Sequence, residues 1–291
     1  MKVLVVANPA AGTGRGRART AELVRALEVR GHAVECFSTR SPGDARRRVA
    51  DAERCVDAIV AAGGDGTLNE VVNGLADPSR TPLVPLALGT ANMLAGALGI
   101  PRDPAALVAL LEAGTIRRID LGRVGATRFL GVAGVGFDAM VTEAVRRRRR
   151  GSLGYRGYAL PILRTLAGYR VPRLRVRLDG GAPIACGFAI VAKLPNYGGL
   201  FAVTPDAQPD SGRLHVCLFH DASIAGLVRI VRPARRGRLA ERADCTVAAS
   251  SQIAVESEDE PVAVQLDGDA WGTTPIEITL EPRVVPLLVP A

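Results

Sequence analysis

The 291-residue sequence is poor in aromatic residues and almost devoid of lysine. Aromatic side chains make up 4% of the chain, so few platforms exist on which nucleic-acid bases could stack. Lys2 and Lys193 are the only lysines among 37 basic residues, and the formal net charge is +8. This charge favours attraction to anionic lipid or nucleotide phosphates, and we predict no nucleic-acid partner.

The chain also lacks paired cysteines, histidine clusters and uninterrupted apolar spans. Its five cysteines are widely spaced, which indicates reduced thiols in a cytoplasmic protein. The three histidines show no zinc-ligand spacing. The apolar run at residues 3–7 is too short for a signal peptide, and prolines and glycines interrupt the uncharged stretch 81–101. We therefore predict a soluble protein without a zinc site.

Two patterns divide the chain. Residues 1–121 alternate short apolar runs with amphipathic segments, which predicts an α/β domain with a parallel sheet, closed by residues 284–291. Residues 122–283 contain many short strands separated by turns such as Asp267-Gly268, which predicts a mostly antiparallel β domain. A basic and aromatic helical insertion is expected at residues 142–169.

Glycine-rich loops follow three of the predicted parallel strands, at the edge where α/β sheets bind ligands. The loop at residues 8–16 lacks the ending of a P-loop, and Arg17 replaces the third glycine of a dinucleotide fingerprint. Residues 63–70, Gly-Gly-Asp-Gly-Thr-Leu-Asn-Glu, place one carboxylate in a phosphate-binding loop, which indicates a cation or a proton transfer. The alternative is a tight turn in which Asp65 caps a helix.

These ordered motifs resemble the diacylglycerol kinase catalytic-domain family, which includes bacterial lipid kinases and sphingosine kinases. The resemblance covers essentially the whole chain. It rests on Asn8 to Gly12, Thr39, Gly43-Asp44-Ala45, residues 63–70, Gly89-Thr90 with Asn92, and residues 119–122, 134–138 and 267–269. It implies an ATP-binding α/β domain, a β-sandwich lipid-binding domain, and an active site in the cleft between them.

The resemblance also implies roles for individual residues, with ATP and Mg²⁺ as cofactors. Asp65 would organise magnesium and phosphate, Asp269 would take the proton from the lipid hydroxyl, and Asp120 would bind substrate. The implied nucleotide-binding residues are Asn8, Gly12, Thr39, Gly63, Gly64, Asp65, Gly66, Thr67, Asn69, Glu70, Gly89, Thr90 and Asn92.

Three positions depart from the family pattern. Asp269 stands where the family usually has glutamate. The neighbouring Asp267 is an alternative base, because strand alternation places the two side chains on one face only if the strand continues through the turn at Gly268. Met93 stands where many members have aspartate. Ser211 replaces an aspartate of a structural magnesium site, which the resemblance would otherwise assign to Gln208, Ser211 and Arg213.

A run of five arginines, residues 146–150, precedes an apolar stretch at residues 158–166. A solvated helix end explains such a run, and so does a lip that contacts an anionic membrane. The spacing of the residues does not separate these interpretations.

We expect an ATP- and Mg²⁺-dependent lipid kinase of phospholipid biosynthesis that transfers the γ-phosphoryl group to a diacylglycerol-like or related lipid. It would be cytoplasmic and peripherally associated with a membrane that supplies its substrate. No obligate protein partner is inferred, and a homodimer is compatible with the sequence. The alternatives are an NAD kinase-like small-molecule kinase and a catalytically inactive nucleotide- or lipid-binding regulator.

Overall fold

The computed structural model describes residues 1–12, 16–146 and 168–290, and the chain forms two compact units. The N-terminal unit comprises Met1–Ile119 together with Arg283–Ala291. The C-terminal unit comprises Asp120–Pro282.

The N-terminal unit contains a parallel sheet with the strand order β2-β1-β3-β4. Leu287, near the end of the final strand, pairs with Leu83 of β4 in parallel. The strands are β1 (Lys2–Ala7), β2 (Ala33–Ser38), β3 (Ala58–Gly63) and β4 (Leu83–Ala87). β3 and β4 are buried throughout, as expected for parallel strands covered on both faces.

The residues that the structure describes in this unit form five helices beside the sheet, and a 3-10 turn at Glu53–Cys55 follows the second. They are α1 (Gly16–Val29), α2 (Asp44–Ala52), α3 (Asp65–Gly74), α4 (Met93–Ala97) and α5 (Pro104–Ala113). α1 buries Thr20, Leu23 and Leu27, a spacing that places them on one face. α5 was not predicted, although Asp103 caps it by accepting a hydrogen bond from the Ala106 N–H.

The strands that follow β4 are β5 (Thr115–Val124), β6 (Thr127–Phe129), β7 (Val132–Val135), β8 (Leu174–Leu178), β9 (Ile184–Cys186), β10 (Phe188–Ala192), β11 (Asn196–Tyr197), β12 (Phe201–Ala202), β13 (Leu214–Phe219), β14 (Cys245–Ser250), β15 (Gln252–Ser257), β16 (Ala263–Leu266), β17 (Asp269–Thr273) and β18 (Ile276–Val289). In the C-terminal unit, an antiparallel sheet has the order β14-β13-β10-β7-β16-β17. β8 pairs with β9 and β15, and β15 pairs with residues 276–279 of β18, all antiparallel.

The core of the C-terminal unit lies between its two sheets. Val191 and Leu218 of the six-stranded sheet belong to the same buried cluster as Val176 and Ile253 of the other sheet. These residues alternate along their strands with residues that point away, which is the pattern of a β-sandwich.

A second apolar cluster covers the outer face of the six-stranded sheet. Phe188 stacks on Phe219, with ring centroids 4.8 Å apart. Leu227 and Ala234 of α7 (Ile224–Arg235) belong to this cluster. In the described part of the unit, the other helical elements are α6 (Phe137–Arg146) and a 3-10 turn at Leu239–Glu241.

The predicted fold class is confirmed, with a parallel α/β unit and an antiparallel β-sandwich. α7 and β15 were not predicted, and most of the predicted insertion at 142–169 lies outside the described residues. Among the described residues, none of the helices combines the length and apolar character needed to cross a membrane.

Candidate functional site

The glycine-rich loops of the N-terminal unit meet at the carboxyl ends of β3 and β4. The Leu88 N–H donates a hydrogen bond to the Gly63 carbonyl at 2.8 Å. A Cβ atom on Gly89 would lie 2.6 Å from the Gly64 Cα, so only glycine permits this approach. The two loops therefore present their backbones side by side, as a phosphate cradle requires.

Asp65 links these loops. Its Oδ1 accepts a hydrogen bond from the Met93 N–H, at the start of α4, at 2.7 Å. The N-cap position of α3 belongs to Gly64, so the alternative of Asp65 as the N-cap is wrong. The carboxylate instead lies at the N-terminal end of α3, where the helix dipole favours negative charge.

The Asn92 side chain stabilises the loop after β4 through two hydrogen bonds to the backbone of Gly89. Its Oδ1 accepts from the Gly89 N–H at 2.9 Å, and its Nδ2 donates to the Gly89 carbonyl at 2.6 Å. Its backbone is left-handed, with φ of 47°, and the residue is buried. The side chain predicted to contact nucleotide therefore shapes the loop.

Asn8 and Gly12 shape the loop after β1. Asn8 accepts from the Ala10 N–H at 3.0 Å and donates to the Thr67 hydroxyl at 3.3 Å. Gly12 has φ of 68°, and a Cβ there would lie 2.8 Å from the Leu88 carbonyl oxygen. The loop after β1 thus approaches the residues that follow β3 and β4.

The predicted nucleotide-binding residues differ in exposure. Gly66 and Thr90 are exposed, whereas Gly63, Thr67 and Asn92 are buried. The half-buried members are Asn8, Gly12, Thr39, Gly64, Asp65, Asn69, Glu70 and Gly89. Asn69 accepts a hydrogen bond from Asn73 one turn further along α3, at 3.1 Å.

An open cleft of about 1140 Å³ is lined by residues of β1, β2 and α1, by Pro9 of the loop after β1, and by Thr39, which directly follows β2. Arg17, Arg25 and Arg40 also line it, which gives the cleft a positive character. The Asp44 carboxylate accepts a hydrogen bond from the Arg40 N–H, with 2.7 Å between the nitrogen and Oδ2. Hydrogen bonds from the Arg40 and Ser41 N–H groups lower the pKa of Asp44 to about 2. The cleft therefore suits an anionic ligand.

In the C-terminal unit, the carboxylates of Asp267 and Asp269 have different surroundings. Asp267 accepts hydrogen bonds from the N–H groups of Leu130, Gly131 and Val132, at 2.7, 2.8 and 2.9 Å. Asp269 is exposed at the first position of β17. Three amides therefore hold the Asp267 carboxylate in place, and the role of Asp269 as the base stays a prediction.

A buried polar network behind this turn was missed by the sequence analysis. Asp138 accepts hydrogen bonds from the Tyr197 hydroxyl and, at 2.7 Å, from Gln265 Nε2. Gln265 Oε1 accepts from the Gly268 N–H at 2.7 Å. Burial raises the pKa of Asp138. The motif at residues 134–138 was the available signal, and the network connects it to the residue before Asp269.

Asp120 is fully buried, and its Oδ2 accepts hydrogen bonds from Lys193 Nζ at 2.6 Å and the Gly212 N–H at 2.8 Å. The structure uses this carboxylate inside the C-terminal unit, and a contact with substrate stays a prediction. Lys193 Nζ also contacts the Arg213 carbonyl at 2.6 Å and the Ser211 hydroxyl at 3.3 Å.

The residues predicted for a structural magnesium ion, Gln208, Ser211 and Arg213, do not fit a divalent cation. Gln208 is exposed, and the oxygens of the other two already face the Lys193 ammonium. Among the described residues there is also no group of three histidine, cysteine or acidic side chains that could hold a metal. This geometry argues against a metal here.

The N-terminal unit presents glycine-lined loops at a helix N-terminus, an arrangement that suits phosphate groups, and the C-terminal unit presents the exposed carboxylate of Asp269. The model of the diacylglycerol kinase catalytic domain matches residues 2–124. The model of the YegS C-terminal NAD kinase beta sandwich-like domain matches residues 131–289.

Curated relatives agree with these matches. A diacylglycerol kinase of Bacillus subtilis (strain 168) is 29% identical over 290 residues, which cover 98% of this chain and 95% of the relative. A diacylglycerol kinase of Staphylococcus aureus (strain MRSA252) is 26% identical and covers 98% and 91%.

A solved structure has the same fold. The crystal structure of a diacylglycerol kinase from Bacillus anthracis str. Sterne has a TM-score of 0.75 at 21% identity, covering 99% of this chain and 96% of that one. With the family matches across both units, the chain belongs to the diacylglycerol kinase catalytic-domain family, an enzyme family of lipid kinases, as the motifs predicted.

Proposed function

We propose that this protein is an ATP- and Mg²⁺-dependent kinase that phosphorylates the hydroxyl group of a diacylglycerol-like lipid at a cytoplasmic membrane surface. The observation that carries the proposal is the glycine-lined cradle, in which Asp65 is tied to the loop after β4 at 2.7 Å. The names of the curated relatives support the lipid class.

The loops of the N-terminal unit fit the phosphates of a nucleotide. Gly64 and Gly89 approach so closely that a side chain on Gly89 would disrupt the cradle, and α3 begins there with its N–H groups. Thr39 and the arginines of the adjacent cleft would complete an anionic-ligand site. A single carboxylate suits magnesium, which usually binds one or two carboxylates plus substrate phosphates.

When bound, magnesium neutralises charge on the phosphates and orients them. Asp65 would hold that ion, and its hydrogen bond from the Met93 N–H restrains the carboxylate. Asp269 would accept the proton of the lipid hydroxyl. The lipid oxygen then bonds to the γ-phosphorus while the bond to the bridging oxygen breaks, and that electron pair leaves with ADP.

The experiment is phosphate transfer from γ-labelled ATP to diacylglycerol in mixed micelles, with the product identified by mass. NAD⁺ serves as the competing acceptor. We expect labelled phosphatidic acid that requires Mg²⁺ and no labelled NADP⁺. Transfer to NAD⁺ alone would establish the small-molecule kinase, and nucleotide binding without transfer to either acceptor would establish the inactive regulator.

Asp65→Asn tests the role of the carboxylate with the least change in shape. The asparagine oxygen can still accept from the Met93 N–H, whereas the negative charge that would hold magnesium is lost. Turnover should fall by about a hundredfold, near 2.7 kcal/mol, with an unchanged melting temperature. Near-normal turnover in this variant would remove Asp65 from the mechanism.

A further inference from the structure

Lys193 is fully buried in the C-terminal unit, where an unpaired ammonium would be very costly. Three oxygens of different kinds face its Nζ atom: a carboxylate oxygen of Asp120 at 2.6 Å, the Arg213 carbonyl at 2.6 Å and the Ser211 hydroxyl at 3.3 Å. An ammonium has three hydrogens to donate, so this set matches its capacity.

These oxygens are also the ligands that hard metal cations prefer. The ammonium and its three oxygen partners come from segments far apart in sequence. Asp120 lies on β5, Lys193 follows β10, and Ser211 and Arg213 lie in the loop before β13. The Asp120 N–H further donates to the Pro209 carbonyl at 2.7 Å, and the Gly212 N–H donates to the Asp120 carboxylate at 2.8 Å. The Lys193 ammonium therefore connects three segments of the chain: β5, the residues after β10 and the loop before β13.

The charges balance without a metal. The family resemblance implies an aspartate where this chain has Ser211, so the serine removes one negative charge from the cluster. An ammonium in place of a divalent cation removes one positive charge. Because the two changes cancel, the net charge of the cluster is the same as with aspartate and a divalent ion.

We propose that the Lys193 ammonium is a built-in cation that takes the place of a structural divalent metal in the C-terminal unit. The described residues of this unit then need no divalent metal at this position for folding, and the magnesium that accompanies nucleotide is a separate requirement. This proposal does not depend on the identity of the phosphorylated lipid.

The first test uses the unaltered protein without nucleotide. Elemental analysis after purification without chelator should find far less than one divalent ion per chain. The melting temperature in EDTA and in millimolar Mg²⁺ should agree within about 1 °C, since no metal binds preferentially to the folded state. One tightly retained ion per chain, or a large loss of stability in EDTA, would overturn the proposal.

The second test exchanges the cation. Lys193→Asn combined with Ser211→Asp removes the ammonium and adds the second carboxylate. In this double variant Mg²⁺ or Mn²⁺ should raise the melting temperature by about 5 °C, and EDTA should abolish that increase. Lys193→Asn alone leaves Asp120 without its ammonium and should melt lower than the double variant in Mg²⁺. A double variant that folds but does not respond to metal would contradict the exchange.

A separate observation concerns the outer face of α7. Ile224, Val228 and Val231 are 48%, 66% and 43% exposed, and their spacing places them in one stripe. An adjacent face of the helix buries Leu227 and Ala234 against the β-sandwich, so packing among the described residues of the unit does not account for the stripe.

Arginines flank this apolar stripe. Arg232 and Arg235 in the last turn of the helix and Arg236 at its C-cap are exposed, and Arg229 pairs with Asp221. An apolar stripe bordered by arginine is the pattern of a helix that lies in the headgroup layer of an anionic membrane. We infer that this face of α7 docks on anionic lipid, an inference that rests on the proposed lipid kinase function.

Vesicle flotation tests this surface. Val228→Ser with Val231→Ser, and separately Arg232, Arg235 and Arg236→Gln, should each weaken binding to phosphatidylglycerol vesicles about tenfold or more. Val29→Ser is the control, because Val29 is 86% exposed but lies at the end of α1. Phosphorylation of micellar diacylglycerol should be unchanged in all three.

Unaltered vesicle binding in both α7 variants, with micellar activity intact, would reject the surface and leave the proposed function standing. Loss of a dimer from size-exclusion profiles in these variants would instead assign the face to a second copy of the chain. Absence of lipid phosphorylation in every variant and in the unaltered protein would reject the proposed function itself.

Discussion

At the scale of single residues, Asp267 and Asp269 show how one turn separates two carboxylates. Gly268, with φ of 86°, reverses the chain between them. Asp267 then reaches three backbone amides, whereas Asp269 begins an exposed strand. A pattern of alternation along a continuous strand could not predict this difference.

Asp269→Asn should reduce lipid phosphorylation by at least about a hundredfold while ATP binding and the melting temperature are retained, because the amide cannot accept the proton. Asp269→Glu should keep substantial activity. Steady-state kinetics and a nucleotide-dependent thermal shift measure the two properties. Full activity of Asp269→Asn would exclude this residue as the base.

Asp267→Asn should act on stability instead. Its amide nitrogen would face a backbone N–H that the carboxylate now accepts, leaving a donor without an acceptor at a cost of about 1–3 kcal/mol. Urea unfolding measures the loss. An unchanged unfolding midpoint together with abolished turnover would reverse the roles of the two residues.

At the scale of elements, the approach of the loops after β3 and β4 depends on glycine. Gly89→Ala would place a methyl group 2.6 Å from the Gly64 backbone, so one loop must move. We expect a lower melting temperature and at least a tenfold weaker affinity for ATP, measured by calorimetry. Gly96→Ala on α4 is a suitable control because a Cβ there meets no atom within 4 Å. Equal ATP affinity in both variants would contradict the cradle.

The turn after β8 should make part of the stability of the C-terminal unit depend on pH. Asp179 accepts from the Ser251 hydroxyl at 2.8 Å and the Ser251 N–H at 2.9 Å, and these bonds lower its pKa to about 2. A carboxyl group whose pKa is lower in the folded state than in the unfolded chain stabilises the folded state when the pH is above the unfolded-state pKa. This stabilisation is lost as the pH falls toward 2, the pKa in the folded state.

Asp179→Asn keeps a side chain that tolerates the left-handed backbone at φ of 47° but removes the titration. The unaltered protein should therefore exceed the variant in melting temperature more at pH 6 than at pH 2.5. Thermal unfolding across this range measures the difference. A difference that is constant with pH would show that the charge of Asp179 contributes nothing.

At the scale of the whole molecule, the cysteines report on folding. Cys186, Cys217 and Cys245 are buried, whereas Cys36 and Cys55 are exposed. Two thiols should react with Ellman's reagent in the native protein. Cys36 should react more slowly, because partial desolvation of its thiol by neighbouring groups raises its pKa. The other three should react only on unfolding. Rapid reaction of all five in the native protein would contradict the buried positions.

The sequence by itself determined the family, the two-unit architecture and the loops that carry Asp65 and Gly89, because glycine punctuation and strand patterns are local properties. The run of five arginines at residues 146–150 is still explained equally by a solvated helix end and by a lip that contacts a membrane, since most of the run lies outside the described residues. The sequence also identified Ser211 as a departure from the metal site.

Only the tertiary structure decided what replaces the metal, because Lys193 and Asp120 are distant in sequence and meet through folding. Likewise, the three amides that hold Asp267 come from residues 130–132, so the separation of its role from that of Asp269 required a contact across the sheet.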